Sequence, residues 1–428
     1  MEADIALIAA CVIAFALVSR RVAAMPLTMP MVFVGLGALT DALGIVDLAV
    51  ETEGVALIAE VTLAIILFGD AARMDVGSLR REIKLPARLL LIGFPLTILL
   101  GTFLFTVLIP GLSGWEAALV AAILAPTDAA LGQAVVEDRA VPQWVREGLN
   151  VESGLNDGLA VPAVLLFLAL ATGEETSAGF WGRFIVEQIG LGVLIGVGCG
   201  LIGGGLLVRA HRHGMVQGIY AQLATLSVAI LAFAGADVAG ANGFIAAFTA
   251  GIAFGAATGS ELAERFDEYT EDTGRLLAIG AFFVFGNLFV VEAVKNTTVA
   301  VVASAFLALT VSRMAPVYAA MTGMGAAPQT KFFIGWFGPR GLASMLFGLQ
   351  LLEEQVAEAL PANEELFAII SWTVVASVVA HGASATWGAR KYGDWYARMP
   401  DHRRDVMPES TAVRDSRPRW SLARAPKV

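Results

Sequence analysis

Apolar runs of about 20 residues, the length an α-helix needs to cross a hydrocarbon layer, recur along almost the whole chain. In such a layer each backbone polar group has to be satisfied within the protein, which leaves helices or a closed barrel. The alternating ten-residue strand pattern of a barrel is absent. The runs therefore predict an all-α, polytopic membrane protein with about thirteen transmembrane helices between residues 4 and 388. Charged residues make up 15% of the chain, against about 25% in a soluble domain. Connections are short, so the expected organisation is one transmembrane domain over residues 1–389. A tail at 390–428, rich in Arg, Asp and Pro, is expected to be cytoplasmic and disordered. The first residues are acidic, and Arg20 and Arg21 follow the first apolar run, so that run reads as a span rather than a cleaved leader.

Lysine and arginine set the expected orientation. Connections after odd-numbered segments hold Arg20, Arg21, Arg73, Arg80, Arg81, Lys84, Arg139, Arg146, Arg209 and Arg212. Those after even-numbered segments hold Arg183 and Lys295 and are otherwise acidic, with Asp47, Glu51, Glu174, Glu175 and Glu353. The asymmetry predicts an N-terminus outside the cell and a C-terminus in the cytoplasm. The acidic stretch Ser260–Thr273 reads as a cytoplasmic loop, and His211 and His213 as solvated loop residues. Cys11 and Cys199 lie in apolar runs and read as buried free thiols. Gly203–Gly205 and the small residues of Gly243–Gly255 read as helix-packing surfaces. No Cys/His metal spacing, phosphate loop or nucleophile triad is present in the sequence, and neither a cofactor nor a nucleic-acid partner is expected.

Chemistry concentrates in Asn150-Val-Glu-Ser-Gly-Leu-Asn-Asp-Gly-Leu-Ala-Val-Pro162. On a helix, Ser153 and Asp157 share one face, and Glu152 and Asn156 share another. A charge at that depth is costly unless it is partnered, so the stretch reads as a site. Pro126, in Leu124-Ala-Pro-Thr-Asp-Ala-Ala130, breaks the preceding segment and places a half-helix N-terminus at Thr127 and Asp128. A carboxylate is favoured at that positive end, and carbonyls freed by the break can coordinate a cation. A second break, in Gly335-Trp-Phe-Gly-Pro-Arg-Gly-Leu-Ala-Ser344, carries the buried cation Arg340. One break in each half is the pattern of an inverted-repeat transporter. Arg340 needs an acid, and Glu152 is the expected partner because Asp128 and Asp157 are required elsewhere. Asp70 either faces a cytoplasmic funnel leading to the site or pairs with Arg73.

Taken together, Ala125-Pro-Thr-Asp128, Glu152-Ser-Gly-Leu-Asn-Asp-Gly158 and Gly338-Pro-Arg-Gly341 resemble the first branch of the monovalent cation/proton antiporters, the NhaP-type sodium/proton exchangers. The resemblance covers roughly residues 5 to 388. It implies a thirteen-helix fold with a dimerisation part and a core part, the latter carrying two broken helices that cross. It also implies homodimers in the cell (inner) membrane that exchange Na⁺, Li⁺ or K⁺ for H⁺ and serve sodium and pH homeostasis. The protein would be a secondary transporter, not an enzyme. Carried over, Asp157 alternately holds the proton and the cation, Asp128 and Ser153 complete the ion site, and Thr127 contributes at the unwound stretch. Asn156 stands where electrogenic relatives have a second aspartate, which implies electroneutral one-for-one exchange. Glu152 and Arg340 match the family's buried ion pair. The chain departs from the family pattern at Ala129, where a proline is frequent, and at Asp70, where a nearby glutamate is common. Competing readings are a potassium-selective exchanger, a gated cation channel, and an intramembrane aspartyl protease, whose Gly-x-Gly-Asp and Tyr-Asp pairings are missing here.

Overall fold

The computed structural model describes residues 2–22, 27–45, 53–73, 84–173, 185–349, 354–400 and 407–410, with a few isolated positions besides. Among the described residues every regular element is helical. The first half comprises α1 (Glu2–Val22), α2 (Met29–Ala42), α3 (Glu53–Ala72), α4 (Lys84–Leu108), α5 (Gly114–Ile123), α6 (Ala129–Val136) and α7 (Gln143–Ala171). Then follow α8 (Val186–Arg212), α9 (Gly218–Val238), α10 (Gly243–Thr258), α11 (Ser260–Phe285, running on through a π-turn to Lys295) and α12 (Val299–Ala320). The chain closes with α13 (Pro328–Trp336), α14 (Leu342–Leu349), the short α15 (Glu354–Ala359) and α16 (Asn363–Ala397).

Seven helices among the described residues are long and apolar enough to cross a membrane: α4, α7, α8, α9, α12, α16 and the Asp272–Lys295 part of α11. An all-helical membrane architecture is thus borne out. The other expected crossings coincide with α1, α2, α3, α10 and the two interrupted pairs α5–α6 and α13–α14, and the full number of thirteen stays an expectation. The acidic stretch Ser260–Thr273 is not a loop but the opening of α11. Its charged residues fall where helix and loop patterns look alike in composition.

Small residues bring the helices together. A Cβ at Gly196 or Gly200 of α8 would overlap the backbone carbonyls of Ala246 and Ala250. Gly251 and Gly255 likewise lay α10 against the carbonyls of Phe68 and Ala72 of α3. Lipid tails are as apolar as leucine, so close backbone approach, rather than a hydrophobic drive, holds such helices together. The Gly243–Gly255 packing surface is therefore real, and α10 is wedged between α8 and α3. Gly203 and Gly204 also pack closely, on Val228, Phe254 and Ala257. An apolar core around Leu119, Val120, Val161, Phe248 and Ile370 joins α5, α7, α10 and α16. A phenylalanine-rich one around Phe33, Phe283 and Phe289 joins α2 and α11 to α14 and α16.

At the C-terminus α16 runs to Ala397, past the boundary expected at residue 389. A 3₁₀ turn follows at Pro408–Ser410. Its Glu409 is buried and accepts from the Ala327 N–H at 3.0 Å and the Thr330 hydroxyl at 2.5 Å. Thr330 in turn meets the Tyr392 hydroxyl at 2.9 Å. Glu409 thereby satisfies backbone at the start of α13, the end of a helix where donors are otherwise left open. The disordered tail expected from composition is thus ordered over 390–400 and 407–410. Residues 411–428 lie outside the described residues, as do the connections that hold Asp47, Glu51, Arg80, Arg81, Glu174, Glu175, Arg183 and Glu353.

Candidate ion-binding site

The two interrupted segments meet at their breaks. Helix α5 opens on a capping box: Ser113 Oγ accepts from the Glu116 N–H at 3.2 Å, and Glu116 accepts from the Ser113 N–H at 2.9 Å. It ends at Ile123, just before Pro126, and α6 starts at Ala129. Asp128 then acts as a cap twice over. Its Oδ1 accepts from the Leu131 N–H of α6 at 3.2 Å. Its Oδ2 accepts from the Leu342 N–H at the start of α14 at 2.7 Å. One buried carboxylate therefore joins the positive ends of two half-helices, both of which stabilise its negative charge. The Asp128 N–H donates to the Pro339 carbonyl at 2.8 Å, and the Ser344 hydroxyl donates to the Ile123 carbonyl at the end of α5 at 2.7 Å. A Cβ at Gly341 would overlap Asp128 Oδ2, so only glycine lets the breaks cross this closely.

Helix α7 supplies the rest. Asn156 grips Thr127: the Thr127 N–H donates to Asn156 Oδ1 at 3.3 Å, and Asn156 Nδ2 donates to Thr127 Oγ1 at 2.8 Å. The Thr127 and Ser153 hydroxyls lie 2.9 Å apart. Asp157 sits one turn beyond Ser153, is 8% exposed, and lies within electrostatic reach of Asp128 and Asp70. Its Oδ1 is buried and accepts no hydrogen bond among the described residues. Pro162 lacks an N–H, so the Gly158 carbonyl beside Asp157 forgoes its helical donor. Asp157 thus keeps acceptor capacity at Oδ1, on the face of α7 that also carries Ser153. The expected residues Thr127, Asp128, Ser153, Asn156 and Asp157 come together.

The expected Glu152–Arg340 pair does not form. Glu152 is held instead by Arg313 of α12, with Nη1 to Oε1 at 2.5 Å and Nη2 to Oε2 at 2.8 Å. Both side chains are 3% exposed. Arg313 reaches Glu152 because Gly338, in the second break, leaves room for its guanidinium; a Cβ there would lie 2.5 Å from Arg313 Nε. A planar fork matches both carboxylate oxygens at once, which leaves Glu152 little to offer a second arginine. Arg340 turns back, and its Nη1 donates to the Gly338 carbonyl at 2.9 Å. The sequence did carry a signal for Arg313, a cation in the apolar run of Val299–Ala320 that needs a partner by the same rule as Arg340. Asp70 pairs with Arg73 at 2.7 Å, and it acts on Asp157 from that position. His213 closes the end of α8, its Nδ1 2.8 Å from the Arg209 carbonyl.

A narrow cavity of about 10 Å³, about one water's worth of room, touches the site. Its lining includes Asp128, Ser153 and Pro339 from the site together with Val136 and the exposed Asn150.

A sodium/hydrogen exchanger, transmembrane family model matches residues 6–391. The chain belongs to this family. Its members are secondary transporters, not enzymes. The chain is 26% identical over 338 residues to a K(+)/H(+) antiporter NhaP2 of Shewanella oneidensis, covering 78% of this chain and 57% of that protein. It thus spans little more than half the length of that relative. It is 24% identical over 321 residues to a Na(+)/H(+) antiporter of Schizosaccharomyces pombe, covering 66% and 67%. The sodium proton antiporter MjNhaP1 of Methanocaldococcus jannaschii at pH 8 shares the fold, with a TM-score of 0.76 at 20% identity over 91% of this chain and 98% of that one.

Proposed function

We propose that this exchanger carries a monovalent cation one way and a proton the other, by competition for Asp157. The observation that carries this is the buried Asp157 Oδ1, without a hydrogen-bond donor among the described residues, one turn from Ser153, which meets Thr127, and within electrostatic reach of Asp128. A bare buried carboxylate requires a counter-charge or a proton. The cation supplies the first, coordinated by Asp157 with Ser153, Thr127 and Asp128. The proton supplies the second, and the neutral acid lets the cation leave. Asn156 holds Thr127 in place and adds no charge, which favours one proton per cation.

The cavity beside the site is lined in part by the exposed Asn150, and with the Arg139–Arg146 side cytoplasmic, as the arginine asymmetry implies, this favours access from the cytoplasm. Rocking of a core around the two breaks against a dimerisation part would then alternate access. The protein is read as a homodimer in the cell membrane, with its N-terminus outside. Sodium is the first candidate substrate. Potassium is the second reading, favoured by the name of the Shewanella relative.

The test is exchange in proteoliposomes with Na⁺, Li⁺ or K⁺ under an imposed pH gradient, wild type beside Asp157→Asn. The wild type should exchange at least one of the three, and the variant none. Exchange by Asp157→Asn at a rate near the wild type would overturn the assignment, and cation currents without proton movement would point to a channel.

A further inference from the structure

The second break is held from one side by a single face of α16. Ser377, His381 and Ser384 lie four and then three residues apart, so they share that face, and all three touch the segment around Trp336–Arg340. The Arg340 N–H donates to Ser377 Oγ at 2.6 Å. His381 Nε2 lies 2.8 Å from the Trp336 carbonyl, and the Trp336 ring N–H donates to Ser384 Oγ at 3.0 Å. The His381 and Trp336 rings are 5.0 Å apart. His381 Nδ1 lies 3.1 Å from Ser377 Oγ and 3.0 Å from the Ser377 carbonyl. Ser377 is fully buried and His381 is 1% exposed. His381 thus bridges Ser377 and the Trp336 carbonyl through its two ring nitrogens, while the Ser377 hydroxyl accepts from the Arg340 N–H. A connected chain of contacts results, from Arg340 through Ser377 and His381 to Trp336. It ties the last residue of α13 to the residue just before Gly341.

We propose that Ser377 and His381 are positioning residues for ion exchange, a clamp on α16 that fixes the α13–α14 break and, through Pro339 and Leu342, the carboxylate of Asp128. None of the three links touches the ion. The path is continuous, since the clamped segment Trp336–Arg340 contains Pro339, whose carbonyl takes the Asp128 N–H, and leads into Leu342, whose N–H grips Asp128 Oδ2. The inference rests on Asp128 being part of the ion site.

The experiment is cation-dependent exchange by the full chain in proteoliposomes, read as KM for the cation and maximal rate separately, with the unfolding midpoint measured in detergent. Ser377→Ala leaves the buried Arg340 N–H without its acceptor, and His381→Leu removes the α16 contact to the Trp336 carbonyl, which keeps only the Gly338 N–H; each should raise KM by about fivefold to tenfold while maximal rate stays within about twofold. Ser377→Thr keeps the hydroxyl, and His381→Gln keeps a donor for the Trp336 carbonyl. Both should return KM to within about twofold of wild type. The double variant should be no worse than the worse single one, because one chain is cut once. Wild-type KM in both disruptive variants overturns the clamp. So does a lowered unfolding midpoint with unchanged KM, which would mark a packing role alone. Ser377→Ala removes a single oxygen, and carries the test if His381→Leu does not fold. Asp157→Asn run in parallel separates the two ideas: if it is inactive while the clamp variants keep their KM, the clamp fails and the ion site stands.

Discussion

At the scale of single residues, the site depends on which buried charge meets which. Glu152 and Arg313 form a two-pronged pair away from water. Removing one partner of such a pair leaves a bare buried charge, which costs about 3–5 kcal/mol. Arg313→Met and Glu152→Leu should each lower the unfolding midpoint of the purified protein substantially, and the double replacement should recover at least half of the loss. Arg340→Met should cost less than Arg313→Met, since its side chain is held by a backbone carbonyl and not by a carboxylate fork. The reverse order would restore the Glu152–Arg340 pairing expected from sequence. That expectation failed for a definite reason. Spacing along α7 shows which face Glu152 occupies, but both arginines lie on other segments, and the gap that admits Arg313 is made by Gly338, in the same break as Arg340. Asp157 stands out in the sequence because it lies four residues from Ser153 at the head of an apolar run, where an acid at that depth needs a partner.

At the scale of elements, the breaks were legible and their junction was not. Pro126 and Pro339 each remove a helical donor and favour a break, although Pro162 shows that a proline can also stay within a helix. That Asp128 caps two half-helices at once follows only when α6 and α14 bring their N-termini to the same point. Gly341 makes that approach possible. Gly341→Ala should force Asp128 or the break to shift, an overpacking cost of about 1–3 kcal/mol, and should reduce exchange by about tenfold or more in proteoliposomes. Gly35→Ala in α2, where nothing lies within 4 Å of the added methyl, should leave exchange unchanged and serves as the control. The start of α13 offers a second test. Glu409 accepts there from Ala327 and Thr330, and losing a cap costs about 1 kcal/mol. Glu409→Ala, or truncation after residue 400, should therefore lower the unfolding midpoint by a few degrees. Nothing in the Arg- and Pro-rich composition of the tail signalled this contact, because it depends on one glutamate reaching a helix end some eighty residues earlier in the chain.

At the scale of the whole molecule, the apolar runs foretold the class of architecture, since lipid leaves backbone few alternatives. The glycine contacts of α8, α10 and α3 show how that architecture is assembled without water between the helices. Function at this scale is a matter of charge balance. In the proposed scheme, with Asn156 neutral and engaged with Thr127, one proton would replace one monovalent cation and no net charge would cross. Exchange in proteoliposomes should then be indifferent to an imposed membrane potential, and a rate that follows the potential would mean unequal charge movement. The most direct measurement of the shared carboxylate is the apparent KM for the cation as a function of pH. If proton and cation exclude one another at Asp157, KM rises with acidification, approaching about tenfold per pH unit once the proton dominates, while the rate at saturating cation stays level. A KM that does not move with pH while exchange continues would contradict competition for that single site.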